Sequence, residues 1–373
     1  MIPLGQPYID DKEIKLVKEV LESGWLAHGP KNKEFEESFS RYIGTEYAVS
    51  LNSCTSALHL SIEAQNLRGE VILPSFTFVA SANAVITGGC KPIFVDIEKD
   101  TRNIDPNKIE DKITDKTVAI MPVHYAGQSC KMDEIMEIAE RHDLVVIEDS
   151  AEAIGAEFDN QKTGSFSIGC FSFFPTKNMT TGEGGMLTTN DEELAEKVRT
   201  YRGHGIQSST WSREAEQKPW IRECVLPGYN FRLCDVLAAI GIEQLKKLDE
   251  MNSLRRKHAE YLNKRLDFDE IETPIEMYRC KHVYQMYTII VDVDRTEFIS
   301  GMRDCGIGVS VHFDPPVHLS PYYANFGYTR GDLQVTEEVT NSIVTFPMYP
   351  QLTKDQLDTI ISSTEEVLRS CRK

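Results

Sequence analysis

The stretch DEIMEIAERHDLVVIED, Asp133 to Asp149, changes its period halfway. Its first part carries apolar residues at helical spacing; its second is a short continuous apolar run that ends in acids. A helix running into a fully apolar strand is the repeating unit of an α/β sheet. The same rhythm extends on both sides. EVILPSFTF, KPIFVDI, VAIMPVHY, LVVIED, CFSFF and GMLTTND read as strands, and TSALHLSIEAQ is a second amphipathic helix between them. From about residue 45 to 190 the pattern predicts a mostly parallel sheet between helices, with ligands at the carboxyl ends of the strands.

After Asn230 the pattern becomes one long helical run, roughly Cys234 to Leu266. It is followed by a strand in VYQMYTIIVDV, a helix near Glu297 to Cys305, a strand in GVSVHF and a closing helix from about Thr353 to Ser370. These describe a small α+β domain. The expected division is 1–245 for the large domain and 246–373 for the small one, with the N-terminal segment free to pack on the latter.

The 373 residues carry 40 Lys+Arg against 58 Asp+Glu, a formal charge of -18. That balance argues against a surface made for nucleic acid or anionic lipid, so an anionic ligand must be held by local groups. No run approaches a membrane span, and MIPLGQPYIDDKEIK has no basic segment leading into an apolar one, so the expectation is a soluble, cytoplasmic protein. Nine cysteines (Cys54, Cys90, Cys130, Cys170, Cys224, Cys234, Cys280, Cys305 and Cys371) show neither C-x-x-C pairs nor metal spacing; they read as reduced thiols, with no metal site.

Three strand ends carry suitable chemistry. Asn52-Ser-Cys-Thr-Ser56 follows the strand YAVSL and opens a helix, so N–H groups near Cys54 and Thr55 can cradle a phosphate at the positive end of the helix dipole. Ser53 or Thr55 would equally serve as an ordinary N-cap. Asp149 ends its strand on the ligand side, where an Asp also caps helices. Lys177 follows CFSFF and precedes Gly182-Glu-Gly-Gly185, whose glycines permit close approach of another group. A lysine there is otherwise a solvated edge residue. Phosphate cradle, strand-end acid and lysine together suggest pyridoxal phosphate: the lysine forms an imine with the aldehyde, and the acid keeps the pyridine nitrogen protonated.

With these residues in view, the chain resembles the sugar aminotransferases of the DegT/DnrJ/EryC1/StrS group, of the aspartate-aminotransferase-like (type I) pyridoxal-phosphate fold. The resemblance runs through GWLAHGPKNKEFEESF, NSCTSALHLS, PSFTFVASANAV, FVDIEKDTRNIDP, IEDSAEAIGA, SFFPTKNMTTGEGG, GYNFRLCDVLAAIGIEQL and FPMYPQLT, in order along nearly the whole chain. It implies that Lys177 is the covalent anchor and Asp149 the partner of the ring nitrogen. By the same resemblance Phe78 stacks on the ring, Cys54, Thr55 and Ser172 hold the phosphate, and Asn230 reaches the phosphate of a second subunit in a homodimer with shared sites.

Glu152 departs from the Gln or His that many relatives place near the cofactor's phenolic oxygen, and there resembles GDP-perosamine synthases; a helix-start acid without a catalytic role is the bland alternative. The reaction implied is amino transfer from L-glutamate, released as 2-oxoglutarate, to a nucleotide-linked 4-keto-6-deoxysugar. Amination at C3, a UDP- or dTDP-linked sugar, and a regulatory or scaffold protein that kept the fold without turnover are the alternatives. His28, His124, His312 and His318 are further candidates for the cleft, each with a structural role as an equal reading. Trp211, Arg213 and Trp220 lie in a stretch, STWSREAEQKPW, read as a cover for the nucleotide.

Overall fold

The computed structural model describes residues 1–207 and 220–371; Trp211 and Arg213 lie outside the described residues. Seven strands, β1 (Tyr47–Leu51), β2 (Glu70–Pro74), β3 (Lys91–Val95), β4 (Thr117–Ile120), β5 (Val145–Asp149), β6 (Ile168–Ser172) and β7 (Gly185–Thr189), form one sheet in the order β1-β7-β6-β5-β4-β2-β3. All neighbours from β6 to β3 are parallel; only β7 runs against its two neighbours. The strands are nearly continuous apolar runs because both faces are buried. The helix expected from DEIMEIAERHD spans Met132–His142, buries Met132, Ile135, Ile138 and Ala139, and ends at Asp143 in the left-handed conformation (φ 53).

This topology gathers the carboxyl ends of β1, β2, β4, β5 and β6 on one edge. There they meet the N-terminal end of the reversed β7.

The expected long helix is two, Asp235–Lys246 and Leu248–Arg265, separated at Lys247. The break sits where the N-terminal region docks. Lys247 Nζ lies 2.9 Å from Asp10 and 2.5 Å from Glu13, and Gln244 donates to Glu13 and to the Tyr8 carbonyl, both at 2.6 Å. Side-chain pairing with a distant segment outweighs helical continuity, which apolar spacing cannot foresee.

The second sheet is antiparallel, β8 (Ile271–Glu272), β9 (Tyr287–Val291) and β10 (Ile343–Phe346) in that order. GVSVHF, expected as a strand, makes only a single bridge, Ser310 to Thr345, and the Ile307 before it bridges Ile2. Its place is taken by β10, which pairs with β9 over four residues. Helices Arg295–Asp304 and Lys354–Cys371 cover this sheet and close a core around Tyr287, Phe298, Phe346 and Ile360. The N-terminal segment joins the same body: Gly308 N–H donates to the Ile2 carbonyl at 2.8 Å and Met348 N–H to the Leu4 carbonyl at 3.1 Å. No helix among the described residues is long and apolar enough to cross a membrane.

Candidate active site

A cavity of about 410 Å³ opens at the gathered strand ends, between the seven-stranded sheet and the end of β10. Asp149 forms its floor. The carboxylate is buried, accepting from Ser81 Oγ at 2.7 Å and from the Ala151 N–H at 3.2 Å, with Cys54 Sγ at 3.9 Å. Burial pushes its carboxyl above the usual range, and neighbouring Glu152 adds to that effect. Its partners leave acceptor capacity facing the cavity, so the site favours a cationic N–H donor.

Lys177 enters from the loop after β6. Its Nζ lies 3.2 Å from Glu152 Oε1, while Glu152 Oε2 accepts the N–H of Ala126 at 2.9 Å. Ala126 stands in the left-handed region (φ 55), which turns that N–H toward the carboxylate. Behind the loop, buried Arg255 donates to the carbonyls of Asn178 at 3.2 Å and Lys177 at 3.4 Å; burial brings its pKa down to about 9. Gln285 Nε2 holds the adjoining Thr176 carbonyl at 2.8 Å.

The cradle is the start of the Cys54–Ala64 helix. Ser53 caps it by accepting the Ser56 N–H, so the turn at Cys54 and Thr55 borders the cavity as free helix N-terminus does. Burial raises the Cys54 thiol well above its ordinary value, so it stays protonated. Gly185 is required here: a Cβ would come within 2.3 Å of the Ser53 carbonyl carbon and 2.5 Å of the Cys54 nitrogen. Ser172 lies on the same wall, and the ring of Phe78 is exposed toward the opening, 6.1 Å from that of Phe313.

Other candidates separate. His312 lines the cavity, its Nδ1 2.9 Å from Thr345 Oγ1, and burial disfavours its charged form. His124 does not face it: its Nδ1 accepts the Cys130 N–H at 3.0 Å and its Nε2 lies 3.1 Å from fully buried Glu148, on the other side of the sheet. His318 is also structural, wedged between Ser75 Oγ (2.7 Å) and Glu337 (3.3 Å). His28 stands away from the cavity, 3.9 Å from Glu36, where burial lowers its pKa. Asn230 is exposed and outside the cavity of its own chain, and Trp220 is exposed as well. Ser81, Ala126 and Gln285 escaped the sequence reading. Each acts from a different element, and none carries a local pattern of its own.

Comparison with known proteins fixes the setting. Residues 7–365 match the DegT/DnrJ/EryC1/StrS aminotransferase family. The chain belongs to that family. The spore coat polysaccharide biosynthesis protein SpsC of Bacillus subtilis is 40% identical over 379 residues, covering 99% of this chain and 97% of its own. The UDP-4-amino-4-deoxy-L-arabinose–oxoglutarate aminotransferase of Shewanella sediminis is 34% identical, covering 98% of each chain. Among solved structures, the putative sugar aminotransferase Spr1654 of Streptococcus pneumoniae, in its PMP form, superposes with a TM-score of 0.95 at 28% identity over all of both chains.

This family member has the type I aminotransferase fold, and its cofactor is pyridoxal phosphate. The residues present fit that group: a buried carboxylate with acceptor capacity to spare, an amine at the same cavity, and a helix N-terminus kept open by Gly185.

Proposed function

We propose that this chain transfers the amino group of L-glutamate to the keto carbon of a nucleotide-linked 4-keto-6-deoxysugar, for the synthesis of a surface polysaccharide or glycan. The observation that carries the reading is the convergence of Lys177 Nζ and the Asp149 carboxylate on one cavity beside the helix start at Cys54. When bound, pyridoxal phosphate supplies the aldehyde and the electron-accepting ring that carry the amino group between donor and acceptor.

The chain's own residues do the rest. Asp149 holds the proton at the ring nitrogen, and Ser81 and Ala151 fix its orientation. Lys177 anchors the group and, when freed, moves protons through Nζ. The N–H groups at Cys54 and Thr55 and the Ser172 hydroxyl hold the phosphate, and Phe78 covers the ring. Glu152 stands beside the amine, and its contact with Ala126 keeps it there. Asn230 projects outward to complete the phosphate site of a second copy, so the working unit is a homodimer. The large domain ends at residue 245 and the small one spans 246–373. All nine cysteines are free, which favours the cytoplasm.

Amination at C4 draws support from the name of the Shewanella relative, which acts with oxoglutarate and a 4-amino sugar. Glu152 favours a GDP-linked acceptor, whereas that relative's name favours UDP, the second reading. A panel of GDP-, UDP- and dTDP-linked 4-keto-6-deoxysugars, assayed for 2-oxoglutarate release and amino-sugar product, separates them. A protein that takes up pyridoxal phosphate without an absorbance change on adding glutamate, and aminates none of the panel, would overturn the proposal in favour of a scaffold.

A further inference from the structure

Outside the cavity lies a buried ion pair with an unusual set of contacts. Arg202 Nη1 donates to Glu36 Oε1 at 2.6 Å, to the Ser50 carbonyl at 2.7 Å and to Ser50 Oγ at 3.2 Å. Ser50 returns its own N–H to Glu36 at 2.9 Å. Burial opposes the Glu36 charge, yet the Arg202 guanidinium overcomes it and holds the carboxyl well below the usual carboxylate range. A buried pair of this kind is commonly replaceable by apolar residues at no loss of stability, so stability alone is a poor reason for it.

Its position supplies a better one. Ser50 lies in β1, the strand that runs directly into the turn at Cys54. The Arg202 carbonyl accepts the N–H of Phe231 at 3.0 Å, and Gly203 bridges to Asn230. The Phe231 carbonyl then accepts the Asn52 N–H at 2.8 Å, and Asn52 Oδ1 accepts Ser56 Oγ at 2.7 Å, inside the first turn of the cradle helix. By its side chain Arg202 grips the strand feeding the cradle; by its backbone it grips the segment that carries Asn230.

We propose that Arg202 is a positioning residue for the cofactor's phosphate, setting the turn at Cys54 and Thr55 and the Asn230 segment in one fixed register. The proposal rests on the reading of those residues as the phosphate contacts. It separates phosphate from ring: neither Phe78 nor Lys177 hydrogen-bonds to this network, and Asp149 meets it only through the Cys54 thiol at 3.9 Å, so recognition of the ring depends on it far less than recognition of the phosphate.

The test is equilibrium binding of pyridoxal phosphate and of pyridoxal, which lacks the phosphate, to cofactor-free protein, followed by absorbance. Wild-type protein prefers the phosphorylated form. In Arg202→Met that preference falls by about tenfold, the scale of one lost hydrogen bond, while pyridoxal binds as before. Arg202→Lys restores most of it, because a single nitrogen makes all three contacts and an ammonium carries three donors. Since Arg202→Met strands Glu36 without a counter-ion, the double variant Arg202→Met/Glu36→Gln is measured beside it; it folds and shows the same reduced preference. A preference unchanged in the folded double variant, or both ligands weakened equally, overturns the proposal. Absence of any preference in the wild type overturns the cradle reading itself, and this inference with it.

Discussion

Glu148 and Asp149 are neighbours at the end of β5 and face opposite sides of the sheet, since side chains alternate along a strand. Glu148 is saturated: it accepts the N–H groups of Gly164 (2.7 Å), Phe166 (2.9 Å) and Ser167 (3.0 Å), and His124 Nε2 lies 3.1 Å away. Because His124 Nδ1 already accepts the Cys130 N–H, the ring proton sits on Nε2 and donates to that carboxylate. Asp149 accepts from one hydroxyl and one N–H, with a weakly donating thiol at 3.9 Å, beside an open cavity. Equal burial therefore conceals opposite purposes. One acid ties a loop to the sheet, and the other lines the cavity with acceptor capacity to spare, which on the proposed function meets a protonated ring nitrogen.

The largest effect expected on the cavity side comes from Lys177→Ala. Turnover should fall by more than about a thousandfold, since on the proposed function covalent anchor and proton carrier are lost together, with an unaltered far-ultraviolet circular dichroism spectrum. Normal catalysis by this variant would end the assignment. Asp149→Asn should lower kcat by on the order of a hundredfold while the cofactor-free protein melts no lower than wild type. The reverse pattern, intact kcat with lost stability, would make Asp149 a second Glu148.

Across the sheet, Glu148→Gln should cost on the order of 3 kcal/mol in urea denaturation, because an amide cannot accept from all four donors. Whatever protein remains folded should keep the wild-type pH profile of kcat. The smallest effect is electrostatic. Burial raises the carboxyl of Asp149 above its unfolded value, so the folded, cofactor-free protein prefers it protonated. Its contribution to stability is present below the ordinary carboxylate range and is lost as pH rises through the raised value. The difference in melting temperature between wild-type and Asp149→Asn cofactor-free protein should therefore turn against the wild type as pH rises over that interval. A difference independent of pH would show that the carboxylate bears no such penalty.

The strands were legible because burial on both faces leaves an uninterrupted apolar run, as in EVILP and VVIED. Asp149 and Lys177 could be singled out as candidates because one ends a strand on the ligand edge and the other follows a strand there by five residues. Less could be read where a side chain's direction mattered. His124 and His318 sit in loops as suggestive as that of His312, and only His312 turns into the cavity. The break at Lys247 and the replacement of GVSVHF by β10 came from pairing with segments far away in the chain. The contact of Glu152 with Lys177 was likewise invisible, depending on an N–H that Ala126 offers from another loop.

By itself the sequence determined the alternation of strand and helix, the ordered motifs that make the chain an aminotransferase of its family, and which residue types reach the strand ends. Those are properties of local period and of neighbours in the chain. Tertiary structure alone decided which of two adjacent acids keeps an unfilled acceptor, which histidine meets the cavity, and how Arg202 joins β1 to the Asn230 segment. Hydrogen bonds in a buried interior are allotted by distance in space, and partners far apart in the chain leave no mark on one another's local pattern.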